Sequence, residues 1–290
     1  MDRLVLTVRK PLVILRIILY LCLFVINNSL YSQNFFRNLF SSEKSIQELN
    51  KLVSPAVVEI ANGDYNGDIR GYGSGFIVRE NGVIVTNFHV IDGAHYLGVK
   101  IHNKDIHVVT GIIDINPDID FAIIKIDAKN LPVVNLGNSQ EVEVGSKIVA
   151  IGSPEGLTNT ISDGIISGKR QMGNHSRFQI TAPIAPGSSG GVLLNMYGEG
   201  IGITTSGMGT GNLNFAIPIH HLRKLSRDDQ SIRYSMERFA RLYGVKPPAG
   251  PTTSRNPKQN TYTNQSSNDA GGSWLGCIFW LWIIWGLIPP

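Results

Sequence analysis

The 290-residue sequence has only two cysteines, and neither lies in its central part. Cys22 and Cys277 fall in apolar stretches near the two ends, so residues 33–219, the central block, contain none. This absence excludes an internal disulfide, a cysteine-ligated metal site and a cysteine nucleophile from the central block. Tryptophan is missing from it as well, because all four tryptophans lie within residues 274–290.

The central block also lacks an excess of positive charge. The whole chain carries a formal net charge of +4, which on its own would suggest binding to nucleic acid or to an anionic membrane. The central block, however, carries 13 basic and 17 acidic side chains, whereas residues 220–260 carry nine basic and three acidic ones. The positive charge therefore lies in the flanks, and we expect no nucleic-acid partner.

Glycine, by contrast, is abundant: the central block holds 25 of the 31 glycines, which indicates many tight turns. Short runs rich in Val, Ile and Phe recur between these turns and predict strands. The twelve predicted strands cover 57–61, 73–78, 82–87, 96–101, 106–115, 121–127, 147–153, 159–167, 177–182, 191–195, 200–206 and 213–218. Such a series favours an all-β antiparallel barrel or sandwich. Residues 79–82, Arg-Glu-Asn-Gly, predict a hairpin turn with positive φ at both central positions.

Helices are predicted only beside this series of strands. Ser45 and Glu48 have the spacing of a capping box, ahead of a helix with Ile46, Leu49 and Leu52 on one face. A second helix, ending at Gly244, is predicted by an apolar stripe formed by Leu222, Leu225, Ile232, Met236, Phe239 and Tyr243.

The two ends of the sequence have the composition of membrane-directed segments. Residues 1–32 combine a positive front with a ten-residue apolar run, which predicts a signal peptide or an uncleaved signal anchor, with the following residues outside the cytoplasm. Residues 246–273 are rich in polar residues and predict a flexible linker. Residues 274–290 are uncharged and predict a hydrophobic membrane tail that contacts lipid, either spanning the membrane or lying at its interface. A helix of the domain core is the alternative for this tail.

One segment of the central block has the composition of a nucleophile site. In residues 185–194, APGSSGGVLL, Ser189 stands among glycines. Glycine permits a sharp turn and leaves backbone N–H groups available for a developing oxyanion. The same pattern also describes the nucleophile elbow of α/β-hydrolases or a simple turn, so it does not decide by itself.

A serine nucleophile needs a base and a carboxylate that orients it. His89 lies at the end of the run VIVTNFHV, where a predicted strand passes into a short turn, and Asp120 stands at the polar start of an apolar strand, with Asp118 as the fallback. His95 has no evident partner, and the remaining histidines are predicted to lie on the surface: His102, His107, His175, His220 and His221. The order His, Asp, Ser is that of chymotrypsin-like enzymes, whereas α/β-hydrolases use the order Ser, Asp, His.

Six blocks of the sequence together resemble the trypsin-like peptidases of the HtrA (DegP-type) group: SIQELNKLVSPAVVEI, GYGSGFIV, VIVTNFHVI, DIDFAIIKI, IAPGSSGGVLL and LNFAIPI. The resemblance implies a chymotrypsin-like fold of two six-stranded antiparallel β-barrels with short flanking helices, over residues 33–245. It implies a serine endopeptidase with His89, Asp120 and Ser189 as catalytic residues. It also implies an oxyanion hole formed by the backbone N–H groups of Gly187 and Ser189. No metal-ligand constellation is visible in the sequence, and we expect no cofactor.

The chain departs from that group at two places. Ser188 stands where the group more often has Asn or Asp, and the polar linker and tail follow where many members carry a PDZ domain. By position, residues 183–186 and the run Ile203, Thr204, Thr205 and Ser206 are expected to line the specificity pocket. They contain no acidic residue, which predicts polypeptide substrates with a small or medium apolar residue before the cut. A catalytically silent peptide-binding module of the same fold, and assembly into a homo-oligomer, are left open.

Overall fold

The computed structural model describes residues 42–101, 106–153, 159–205, 213–222 and 231–245. The first six strands close into one antiparallel barrel in the order β5-β4-β1-β2-β3-β6, with β5 also pairing with β6. Their bounds are β1 Val57–Gly63, β2 Ile69–Arg79, β3 Val83–Thr86, β4 Tyr96–Lys100, β5 Ile106–Asn116 and β6 Phe121–Ile126. A two-residue strand from much later in the chain, β13 (Tyr234–Ser235), pairs with the middle of β5.

The next six strands form a second closed barrel, in the order β10-β11-β12-β9-β8-β7. Their bounds are β7 Lys147–Gly152, β8 Thr160–Met172, β9 His175–Ile180, β10 Val192–Asn195, β11 Gly200–Thr205 and β12 Asn214–Pro218. Within the described residues, three α-helices accompany the barrels, namely α1 (Ile46–Val53), α2 (Phe88–Ile91) and α3 (Met236–Tyr243). The all-β fold of two six-stranded antiparallel barrels predicted from the sequence is confirmed.

Strands where the barrels meet bury both of their faces. In β3, Ile84 packs inside the first barrel, whereas Val85 packs in a shared core to which both barrels contribute. In β10, Leu193 packs inside the second barrel and Leu194 in the same shared core. Because side chains alternate along a strand, these segments need apolar residues at every position. This explains why their sequence runs are uninterrupted.

All twelve predicted strands are present, with ends that differ by a few residues. The prediction for the hairpin turn at residues 79–82 is partly wrong, because Gly82 has a φ of +90° but Asn81 does not have a positive φ. The N–H of Gly82 donates to the carbonyl of Arg79 at 3.0 Å, and the strand register shifts there. Gly82 thus supplies the left-handed residue that follows the turn, as in a G1 bulge.

The first predicted helix is confirmed, including both hydrogen bonds of the capping box between Ser45 and Glu48. Its buried face was predicted incorrectly at one position. Leu49 and Val53, four residues apart, are buried, whereas Leu52 is 55% exposed. The helix turns directly into a 3₁₀ turn at Ser54–Ala56, which leaves Leu52 on the flank.

The prediction of the second helix is wrong at its N-terminal side, where the described residues 231–235 are not helical. The helix spans only Met236–Tyr243, with Ser235 as its N-cap and Gly244 as its C-cap. Before it, the backbone N–H of Arg233 donates to Ile112 of β5 at 2.9 Å, and its guanidinium contacts the buried carboxylate of Asp114 at 3.0 Å. Pairing with the sheet therefore replaces helix at residues 233–235.

Within the described part of the chain, no helix is long and apolar enough to cross a membrane. The segments 1–32, 246–273 and 274–290, for which a signal or anchor, a linker and a membrane tail are predicted, lie outside the described residues.

The short helix α3 should contribute strongly to stability through Phe239. This ring is fully buried in the core of the first barrel and stacks on Tyr243 with 5.0 Å between ring centroids. We expect Phe239→Ala to lower the free energy of unfolding by about 3–5 kcal/mol. Leu242 on the same helix is 59% exposed, so Leu242→Ala is the matched control and should cost less than about 0.5 kcal/mol. Chemical denaturation of both variants measures the difference, and equal losses would contradict the burial of Phe239.

Candidate active site

His89 and Asp120 are in direct contact. His89 lies in α2, immediately after β3, and its Nδ1 is 2.8 Å from Oδ2 and 3.0 Å from Oδ1 of Asp120. The backbone N–H of His89 also donates to Oδ1 of Asp120 at 2.9 Å. A carboxylate at Nδ1 favours the tautomer whose proton is on Nδ1, which leaves the Nε2 lone pair available as a base. The side chain of His89 is 47% exposed, so this nitrogen is open to a substrate.

Asp120 adopts an unusual backbone conformation. Its φ is +68°, and within the described residues Asn130 is the other non-glycine residue with a positive φ. The left-handed region costs an ordinary residue about 1–2 kcal/mol, although Asp tolerates it better than most. Two bonds from the first barrel hold the turn: the N–H of Asp120 donates to Asn116 O, and Asn87 Nδ2 donates to Asp120 O, both at 2.9 Å. The fallback candidate, Asp118, is exposed on the same loop.

The segment before Ser189 forms a tight turn. The N–H of Ser188 donates to the carbonyl of Ala185 at 3.0 Å, and Gly187 has a φ of +84°. With Pro186 at the first central position and a left-handed glycine at the second, this is a type II turn. A type II turn fixes the orientation of its central peptide, and the N–H of that peptide belongs to Gly187.

Ser189 is anchored by its neighbours on both sides. Its carbonyl accepts a hydrogen bond from the N–H of Ser74 at 2.7 Å, and the N–H of Gly190 donates to Thr204 O at 2.9 Å. Gly190 has a φ of +89°, and a Cβ at this position would clash with the carbonyl oxygen of Ser74. Only glycine fits at residue 190, because both the conformation and the space exclude a side chain.

Ser74, which the sequence analysis did not single out, links the two halves of the site. Its Oγ donates to Gly187 O at 2.7 Å and accepts from the N–H of Ser153 at 2.8 Å. Its carbonyl accepts a hydrogen bond from Thr86 Oγ1 at 2.7 Å, three residues before His89. The one sequence signal for this role is the position of Ser74 between glycines in the block GYGSGFIV.

The residues expected to line the specificity pocket, Ile203 to Ser206, have different surroundings in the structure. Ile203 is fully buried in the shared core, and Thr204 donates its hydroxyl proton to Ser188 O at 2.8 Å. Thr205 ends β11, and Ser206 lies outside the described residues. Thr204 therefore supports the turn that carries Ser189, and Thr205 is buried as well.

A cavity of about 310 Å³ lies beside the Ser188 turn. Residues from β7, β8, β11 and the 183–188 segment line it: Ala150, Ile151, Gly152, Thr160, Ile161, Ser162, Pro183, Ile184, Ala185, Ser188 and Thr204. None of these described lining residues carries a charge. The lining includes Ser188 but none of His89, Asp120 and Ser189.

Several of the other histidines are less exposed than the sequence suggested. His175, His220 and His221 are partly buried and lie together, with ring centroids 5.9 Å apart for His175–His221 and 4.3 Å for His220–His221. His95 does have a partner, since its Nε2 lies 2.9 Å from the carbonyl of Val245. The part of the chain that the structure describes contains no group of three or more His, Cys, Asp or Glu side chains that could hold a metal ion.

Comparison with known proteins finds similarity to trypsin-like serine peptidases. Residues 73–203 match the family described as Trypsin-like peptidase domain. A DegP-like protein of Chlamydia muridarum, named a probable periplasmic serine endoprotease, is 42% identical over 155 residues, which are 50% of this chain and 31% of that protein. This chain spans about a third of the length of the curated relatives that it matches first.

Solved structures agree with this result. The crystal structure of the serine endoprotease from Yersinia pestis has 35% sequence identity and a TM-score of 0.56, covering 63% of this chain and 65% of that one. The HtrA-type protease AlgW with a tripeptide has 30% identity and a TM-score of 0.56, covering 62% of each chain. The resemblance to trypsin-like peptidases of the HtrA group is confirmed.

We expect Gly190→Ala to displace Ser189, because the new Cβ would push against the carbonyl of Ser74. Gly145→Ala is the matched control: Gly145 has a φ of +92°, and nothing lies within 4 Å of its added Cβ. Both variants introduce similar backbone strain of about 1–2 kcal/mol, so a further loss of about 1–3 kcal/mol is expected only for Gly190→Ala. Thermal unfolding, together with the rate at which Ser189 reacts with a fluorophosphonate, measures both effects. Equal behaviour of the two variants would refute the close contact at Gly190.

Proposed function

We propose that this chain, in which residues 73–203 are a trypsin-like peptidase domain, is a serine endopeptidase that cleaves polypeptides through Ser189. The observation that carries the proposal is the contact of His89 Nδ1 with the Asp120 carboxylate at 2.8 Å. Ser189 stands on a glycine-flanked turn that hydrogen bonds connect, through Ser74 and Thr86, to the segment that carries His89. The names of the relatives point to the same chemistry.

In the first half of the proposed reaction, Ser189 Oγ attacks the carbonyl carbon of a peptide bond while Nε2 of His89 takes the hydroxyl proton. The tetrahedral intermediate collapses as the C–N bond breaks, and the leaving amine receives that proton from His89. The acyl group remains on Ser189 as an ester. In the second half, water attacks the ester carbon, His89 takes a proton from the water, and Ser189 recovers it when the C–O bond breaks.

Two sets of groups would stabilise the charges that develop. The Asp120 carboxylate faces the imidazolium formed at His89, with the contact at Nδ1 already in place. The N–H groups of Gly187 and Ser189 would receive the oxyanion, and the type II turn sets the peptide of Gly187. Removing one such donor costs about 10²–10³ in kcat in serine proteases.

The proposed substrates are polypeptides with a small or medium apolar residue before the scissile bond. Support comes from the 183–186 segment, Pro-Ile-Ala-Pro, which is adjacent to the turn of Ser189 and has no acidic residue to receive Lys or Arg. Thr205 at the end of β11 also has no charge. The apolar side chain of Ile184 agrees with the same preference.

We place the peptidase domain outside the cytoplasm, attached to the cell-envelope membrane, with a role in protein quality control or processing. The positive and apolar segment 1–32 and the uncharged segment 274–290 support export and tethering. The relatives from Chlamydia muridarum and Pseudomonas savastanoi are named periplasmic serine endoproteases, which agrees with this location.

Replacement of Ser189 tests the proposed function, with its buried neighbour Ser188 as the matched control. We expect Ser189→Ala to lose fluorophosphonate labelling and more than about 10³-fold of kcat on an unfolded protein substrate. Ser188→Ala should stay within about tenfold of the parent, because its hydroxyl has no part in the proposed mechanism. Equal labelling of the parent and Ser189→Ala, or a parent that binds peptides without cleaving them, would favour the catalytically silent module.

A further inference from the structure

Arg177 reaches from the second barrel to the loop of the catalytic carboxylate in the first. It lies in β9 and is partly buried. Its Nη2 donates a hydrogen bond to the carbonyl of Ile119 at 3.1 Å. Ile119 immediately precedes Asp120, so this carbonyl belongs to the peptide that carries the N–H of Asp120. The side chain of Ile119 is itself buried in the shared core.

We propose that Arg177 is a positioning residue for Asp120. From the second barrel, Arg177 holds the left-handed turn at Asp120 and places a positive charge near the Asp120 carboxylate. The inference rests on the proposed function, since it assigns a role within the same site. The hydrogen bonds of the Asp120 carboxylate go to His89, whereas that of Arg177 goes to Ile119 O, so Arg177 acts through the backbone and through its charge.

The backbone conformation of Asp120 needs stabilising contacts. A φ of +68° is unfavourable for a residue with a side chain, and such a conformation persists when its surroundings hold it in place. Asn87, Asn116 and the N–H of His89 hold the turn from the first barrel. Arg177 adds a contact from the second barrel, so the position of the carboxylate depends on both barrels.

The charge of Arg177 also interacts with Asp120. Burial lowers the pKa of Arg177, and the carboxylate of Asp120 opposes this by raising it. A guanidinium nonetheless stays protonated in proteins. The two opposite charges therefore attract each other, which helps to hold the Asp120 carboxylate in place.

Other titratable groups face Arg177 from the second barrel. The pKa of His221 is lowered first by burial and then by the charge of His220, with smaller effects from His175 and Arg177, whereas a bond to Ser176 opposes them. A His221→Gln variant therefore separates the effect of His221 from that of Arg177.

The test compares Arg177→Gln, which removes the charge, with Arg177→Lys, which keeps it without the planar fork. On a peptide substrate, we expect Arg177→Gln to lower kcat about 10–100-fold, as a misplaced catalytic group does, with KM changed less than about threefold. Arg177→Lys should recover part of kcat, and His221→Gln should leave kcat within about twofold of the parent.

A spectroscopic readout makes the test independent of turnover. In a Ser189→Ala background, the hydrogen-bonded Nδ1 proton of His89 is followed by ¹H NMR, with and without Arg177→Gln. We expect this signal to broaden or disappear when Arg177 is replaced, because Asp120 no longer holds the proton in one geometry. Thermal unfolding of every variant confirms that the protein is folded at the temperature of measurement.

The outcomes distinguish the inference from the proposed function. An inactive parent with a normal Nδ1 signal that depends on Arg177 would overturn the function and retain the positioning role. An active parent whose Arg177→Gln variant loses thermal stability but keeps kcat and the Nδ1 signal would overturn the inference, because Arg177 would then only join the two barrels.

Discussion

The apolar layer between the two barrels is the contact on which every other feature of this molecule depends. Strands on both sides of it turn one face to their own barrel and the other to the shared core, as Ile84 and Val85 or Leu193 and Leu194 illustrate. Burial of apolar surface supplies most of the free energy that joins such units. The layer also fixes the distance between the loop of Asp120, whose neighbour Ile119 packs in it, and the turn of Ser189.

On this apolar layer stands a network of backbone-directed hydrogen bonds. Ser74 illustrates how much one side chain can align, since its hydroxyl bonds two different segments of the second barrel and its carbonyl bonds Thr86 of the first. A hydrogen bond between neutral groups contributes modestly to stability, but a buried group left without its partner is costly. The network therefore matters less for the strength of the fold than for restricting the site to one arrangement.

The fold and the principal candidates for the site could be predicted from the sequence for a physical reason. Each strand is visible in the local sequence as a run of Val and Ile bounded by turn residues. The motifs around His89 and Ser189 are short, so they too can be read from neighbouring residues. The contacts of Ser74 with Gly187 and of Arg177 with Ile119 join residues 113 and 58 positions apart, and no local pattern encodes such pairs. The same limitation explains the error at residues 233–235, where helical spacing was overridden by pairing with β5.

The return of the chain to its first barrel has a consequence for synthesis. The six strands of that barrel are complete at Ile126, yet Phe239 fills its core and Tyr234–Ser235 pairs with its strand β5. During translation the core of the first barrel therefore stays incomplete, with part of its interior uncovered, until the entire second barrel has been synthesised. The order of residues along the chain thus delays assembly of the proposed catalytic site until nearly all of the described polypeptide exists, and a prematurely terminated product would lack it.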